Sequence, residues 1–247
     1  MMIKKRLSIV LIILMMLSGC KSKSPDSTAA PSPTTTPNTT QTVTQQAQST
    51  KTQPPAQLDS LESDSEDIID DITKNDWTSA KSKSSDIKAK FSELSPILKK
   101  DSISADIING INSTIIKLEN AVDAKQSYEA RVQANHISNY IPDVADYYTV
   151  KIPTDIGRLD YLGREILLNA EKADWTSATS NFQTASSLWN GLKAQMSSSY
   201  KTDIDTFQSN LDSLKSAIDK KDSAETAKQA DALLENIDTL ENDFTKS

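Results

Sequence analysis

One cysteine and one histidine in 247 residues leave little for redox, nucleophilic or zinc chemistry. Cys20 cannot form an internal disulfide, and His136 alone cannot supply a nucleophilic triad or a zinc site. No Glu-x-x-His pair of the di-iron bundle type occurs, and no Gly-rich phosphate loop of the Walker or dinucleotide kind. Basic side chains are also in deficit, 27 against 34 acidic ones. A nucleic-acid partner, which needs clustered Lys and Arg, is thereby disfavoured. Five Gly and four Phe point to helices joined by few tight turns. The longest apolar run, Leu7 to Leu17, is too short for a permanent membrane span, which takes about 20 residues. No enzymatic activity, cofactor or metal is expected from this inventory.

What is present is a repeat. Asp76-Trp77-Thr78-Ser79-Ala80 returns as Asp174-Trp175-Thr176-Ser177-Ala178, 98 positions later. In each copy the Asp suits a helix N-cap, and Trp, then Ala80 or Ala178, open an apolar stripe at helical spacing. The first stripe continues through Ser84, Ile87, Phe91, Leu94 and Leu98, with Pro96 placed to kink or end the helix. The second runs through Phe182, Ala185, Trp189, Leu192 and Met196 at the same shift. Farther on the shift becomes 96, so that Ile108, Ile111, Ile115, Leu118 and Val122 are answered by Ile204, Phe207, Leu211, Leu214 and Ile218. Two residues are therefore lost in the intervening loop. Stripes at Leu58, Leu61, Ser65, Ile68 and Ile72, and at Ala130, Ala134, Ile137 and Ile141, complete four helices in the first half. The fold expected is all-α: two tandem, duplicated four-helix halves of up-and-down type after a disordered linker. The halves span 58–142 and 158–247, with a junction at 143–157.

Ahead of the repeats, residues 1–19 have the plan of an export signal, with Lys4, Lys5 and Arg6 before the apolar run. Leu17-Ser18-Gly19-Cys20 resembles the lipobox of bacterial lipoproteins, which implies cleavage before Cys20 and diacylglycerol on its thiol, palmitate among the acyl chains. Loss of the three basic residues leaves about ten net negative charges. Residues 20–57 are rich in Ser, Thr, Pro and Gln and offer little to bury, as in a disordered tether. Such a coil spans roughly 35 Å, or about 110 Å in a Pro-stiffened, extended form.

The repeated unit itself resembles a small helical domain of unknown function found in exported proteins of spore-forming Firmicutes. The likeness rests on Asp-Trp-x-x-Ala at a helix start and on the hairpin Ala121 to Ala130, with Ala217 to Thr226 as its second copy. The mid-helix aromatic of that pattern is Trp189 in one half and Phe91 in the other, and the His before the third helix is missing from both. The resemblance brings no activity with it.

Function is then sought where symmetry fails. Tyr128, Tyr140, Tyr147, Tyr148 and Tyr161, together with His136, Arg131, Arg158 and Arg164, fall between 128 and 164. Tyr and Arg are the residues of contact hot spots. Two readings stand: Tyr147, Tyr148, Arg158, Tyr161, Arg164 and His136 weld the halves together, Asp160 and Arg164 pairing at i and i+4, or they line a groove for a partner. Gly163 within a helix suggests close approach of another backbone. Trp77 and Trp175 read as core plugs, and the carboxylates at Asp64, Glu66, Asp67, Asp70 and Asp71 as a solvated helix face. The expected role is a non-enzymatic binding or structural module, lipid-anchored on the extracytoplasmic face of a cell membrane, with an unidentified protein or envelope partner. A ligand- or metal-capturing lipoprotein using the junction is the alternative, and a wall hydrolase with paired carboxylates a third.

Overall fold

The computed structural model describes residues 53–246; the export segment 1–19, Cys20 and the tether up to residue 52 lie outside them. The described residues form eight α-helices and no strand: α1 (Ala56–Thr73), α2 (Trp77–Lys100), α3 (Ala105–Asp123), α4 (Ser127–Ala145), α5 (Thr154–Glu171), α6 (Trp175–Lys193), α7 (Lys201–Asp219) and α8 (Ser223–Lys246). A short 3-10 turn, Ser198–Tyr200, leads into α7.

The turns show why neighbouring helices are antiparallel. Asn75, Ser102, Lys125, Ala173 and Lys221 all take positive φ, between 51° and 62°. In each case the left-handed residue donates to the carbonyl three back, and the next residue to the carbonyl five back. Asn75 to Ile72 and Asp76 to Asp71 are one instance. This Schellman closure satisfies the last carbonyls of one helix. The residue that completes it can at once cap the next: Asp76 accepts from the Ser79 amide at 3.0 Å, and Asp174 from that of Ser177 at 3.1 Å. Both caps hold their carboxyls below the usual range through those hydrogen bonds.

Helices α1 to α4 close a ring in which each packs on the next and α4 returns to α1; α5 to α8 repeat it. Each ring encloses its own apolar core, the first from Leu58 to Val144, the second from Ile156 to Leu240. Trp189 is fully buried in the second and stacks on Phe207 at 3.9 Å between centroids. Trp77 and Trp175 are half-buried against their cores. They cover the bundle ends and are not enclosed, because each stands in the first turn of its helix.

Several boundaries differ from the sequence expectation. Pro96 lies inside α2, which runs on to Lys100 because Leu94 and Leu98 bury on either side of it. Pro142 likewise sits within α4, and Pro153 caps α5, so the junction contracts from 143–157 to the link 146–153. The deletion in the second copy shortens α6, leaving Met196 beyond its end and α7 less closely packed on α6 than α3 is on α2.

Candidate functional site at the junction of the two bundles

The bundles join through α4 and α5, which pack directly. Every arginine among the described residues is used there. At one end Arg131 of α4 sends Nη2 to both oxygens of Glu171, at 2.9 and 2.7 Å. At the other, Arg158 of α5 binds Asp143 at 3.0 Å, Asp155 at 3.2 Å and Asp146. Between them Arg164 bonds Asp160, the i and i+4 pair read from the sequence, and reaches Glu66 of α1 at 3.0 Å. Asp160 is only 4% exposed, so Arg164 compensates a buried charge.

The rest of the seam is polar. Asn135 Nδ2 donates to the Tyr161 carbonyl at 3.2 Å and to Glu165 at 2.9 Å. His136 Nε2 stands 3.6 Å from Glu165, with its ring tilted against Tyr161. Burial, then Glu165, pushes the Tyr161 phenol above its usual range. Of the six candidates, His136, Arg158, Tyr161 and Arg164 thus meet on the seam. Tyr147 and Tyr148 pack instead on the first bundle's core, where the Tyr148 hydroxyl donates to Asp101 at 2.7 Å. Gly163 faces the Leu234 side chain, 2.9 Å from where a Cβ would stand, and not another backbone.

The Arg164–Glu66 pair joins residues 98 apart, which is the repeat shift itself. A residue therefore meets its own counterpart, as on the twofold axis of an isologous dimer. By that relation the α4–α5 seam has a mate between α8 and α1. The mate is looser: α1 and α8 do not pack as closely as α4 and α5 do.

Its lower end holds a cavity of about 510 Å³, where the starts of α1 and α5 and the ends of α4 and α8 come together beside residue 53. Leu58, Ile141, Pro142, Ile152 and Pro153 give it apolar walls, and Asp59, Glu62 and Glu241 give it acid. Burial first, then Glu66, Glu241 and Asp59, lifts Glu62 to about 8 against the pull of Arg164. Burial first, then Glu66 and Asp238, lifts Glu241 to about 7. Glu66 is raised by burial while Arg164 draws it back.

The expectation of a solvated face on α1 holds for Asp67 and Asp70, whose side chains are exposed, and fails for Asp64 and Glu66, which are partly buried and paired. Glu66 is held by Arg164, Asp64 by Lys90 at 2.5 Å and Asp67 by Lys83 at 2.5 Å. Glu62 and Glu241 escaped sequence reasoning because nothing in the chain places α8 near α1. The one available signal was the repeat, since position 62 answers Asp160 in the closed seam. Among the described residues no three His, Cys, Asp or Glu converge to hold a metal ion. No family model, no curated protein and no solved structure matches the chain.

Proposed function

We propose that the chain is an extracytoplasmic lipoprotein, held at a membrane by acyl chains on Cys20, that works as a non-enzymatic binding module through the cavity between its two bundles. The observation that carries the reading is the cavity itself, apolar-walled with convergent carboxylates, at the end of the fold where the tether enters. Ligand sites of this kind combine apolar area with a few placed polar groups. The Lys-Lys-Arg start, the apolar run and Leu17-Ser18-Gly19-Cys20 support the anchor. The hydrolase reading fits less well. Carboxylate pairs of that kind need one acid kept ionised as base or nucleophile beside one kept protonated, whereas Glu62 and Glu241 are both pushed upward.

Site-specific photo-crosslinking in intact cells tests the binding role. A crosslinker at Asp59 is expected to give a discrete adduct that one at Ile116, exposed on the far helix α3, does not. Equal labelling at both positions, or none at Asp59, refutes it. A Cys20→Ala chain that still partitions with membranes refutes the anchor.

A further inference from the structure

The two bundles close the end nearest the tether differently. In the first, α2 runs on to Lys100 with Leu98 fully buried, and Ile103, in the turn that follows, is only 5% exposed. Both belong to the first core, and the Tyr148 ring packs against it. In the second, the two-residue deletion falls at this end. Met196, which answers Leu98, lies beyond the end of α6; Ile103 is answered by the exposed Ser199, and Tyr148 by Phe244. The deletion thus takes away an apolar plug. At this end of the second bundle stands a cavity of about 630 Å³, which shares the link 146–153 as a wall with the first cavity.

Its lining combines rings with acid. Tyr148, Tyr200 and Phe244 contribute the rings, the last two stacked with centroids 4.8 Å apart, and Leu192 and Met196 add apolar area. Asp146 and Asp155 are its charged residues; no Lys, Arg or His lines it. Together with Asp143 they share the single guanidinium of Arg158, so three carboxylates meet one cation and negative charge is left over. An anionic ligand would be repelled.

We propose that this second cavity binds a small organic cation of the quaternary ammonium class, held by the rings of Tyr148, Tyr200 and Phe244 and by the surplus charge of Asp146 and Asp155. The site is additional to the binding role of the first cavity and stands without it. Aromatic rings attract a cation through the negative face of their π-systems, the more strongly once water is displaced. Hydrogen bonding decides the class of cation. Asp146 and Asp155 already accept from Arg158, so the N–H donors of an incoming arginine or lysine would have to compete with that guanidinium. A quaternary ammonium has no N–H to satisfy. A metal ion is unsuited because it needs a shell of several oxygen ligands, whereas rings, Leu192 and Met196 occupy much of this wall. The ligand is a free solute and not a phosphocholine lipid headgroup, whose phosphate would be brought beside the same carboxylates.

The test is calorimetry on the whole chain in neutral detergent, with choline as the probe and its uncharged isostere, in which carbon replaces the nitrogen, as the reference. Choline is expected to bind saturably and at least about tenfold more tightly than the isostere. Tyr200→Leu/Phe244→Leu keeps apolar bulk but removes two rings, and should weaken choline by about tenfold. Met196→Trp fills the cavity from a residue outside the helices and should abolish binding with both rings in place. Tyr128→Leu removes a ring from the other end of α4 and should bind as the wild type does. Thermal melts of each variant establish that it is folded. Equal affinity for choline and its isostere leaves only an apolar pocket and overturns the cation. Tighter binding of glycerophosphocholine than of choline overturns the free solute. No binding of choline, unchanged affinity in both Tyr200→Leu/Phe244→Leu and Met196→Trp, or an equal loss in Tyr128→Leu overturns the site.

Discussion

Neutralising Glu62 should make the protein more stable at alkaline pH and leave it unchanged in acid. Glu62 rises from 4.5 to about 8 and Glu241 from 4.5 to about 7, chiefly through burial and then through the carboxylates around them. Both groups bind protons more tightly in the folded chain than in the unfolded one. The stability they lend is therefore complete below pH 4.5 and is lost as pH climbs through about 7 and about 8. At about 1.4 kcal/mol per unit, the displacement of Glu62 sets a ceiling of about 5 kcal/mol. The group lines a cavity and shares its titration with Glu241, so a loss of about 2 to 3 kcal/mol between pH 5 and 9 is expected. For a folded part of this size that is roughly 5–10 °C in Tm. Thermal melts followed by circular dichroism at pH 5, 7 and 9 measure it. Glu62→Gln keeps the shape of the side chain and cannot ionise, so the difference between its curve and the wild-type curve cancels every titrating group except those coupled to Glu62, Glu241 foremost. The two should coincide at pH 5 and diverge by pH 9, the variant melting higher. Parallel curves across the whole range would refute the assignment of burial and repulsion to this seam.

Three further outcomes follow from the packing. Arg164→Leu strands Asp160 and Glu66, and a loss of roughly 3 to 5 kcal/mol is expected in urea unfolding. Adding Asp160→Asn should recover about half of it; a double variant no better than the single would show that the charge was not the cause. Gly110→Ala and Gly163→Ala separate rigid from yielding neighbours. A Cβ at 110 would meet the Tyr140 ring at 2.5 to 2.9 Å and should cost about 1 kcal/mol net. At 163 it meets the mobile end of Leu234, where the roughly 1 kcal/mol of helix propensity gained should offset the shift. Trp189→Ala should lose about 3 to 5 kcal/mol and Trp77→Ala about 2, in line with full and partial burial. Equal losses would contradict that difference in enclosure.

The helices were legible because burial at spacings of 3 and 4 is a local pattern, written twice. Every residue of the stripe Leu58, Leu61, Ser65, Ile68 and Ile72 is buried in α1. The turns were harder to read. Asn75 is a common left-handed residue, but Ala173, Lys125 and Lys221 are not. They take that conformation because two packed helices dictate it. Pro96 and Pro142 misled for the same reason, since buried neighbours on both sides outweigh one missing backbone donor. Of the junction, the arginines were visible as a cluster of composition, and Asp160 with Arg164 as a helical pair. The cavity was not visible. Its walls come from residues 53–62, 141–157 and 241–245, brought together only when both rings close. A glutamate such as Glu62, alone in an acidic helix, reads as solvated.

The contrast between the seams has a cause in how the chain is connected. Two identical bundles meeting about a twofold axis would present each residue on the axis to its own copy, and a charged residue there would repel itself. Joining the copies in one chain removes that constraint, and Glu66 against Arg164 is the outcome: opposite charges at positions 98 apart. The same joining makes the two seams unequal. Helices α4 and α5 are tied by the short link 146–153, which keeps their faces at high effective concentration, so modest arginine pairs suffice to hold them. Helices α1 and α8 have no such tie, and closing their seam would need stronger attraction than the other requires. Their facing positions carry acid on both sides instead. Repulsion of that kind holds a seam apart until protons or cations arrive, and protons are the weaker remedy above about pH 8.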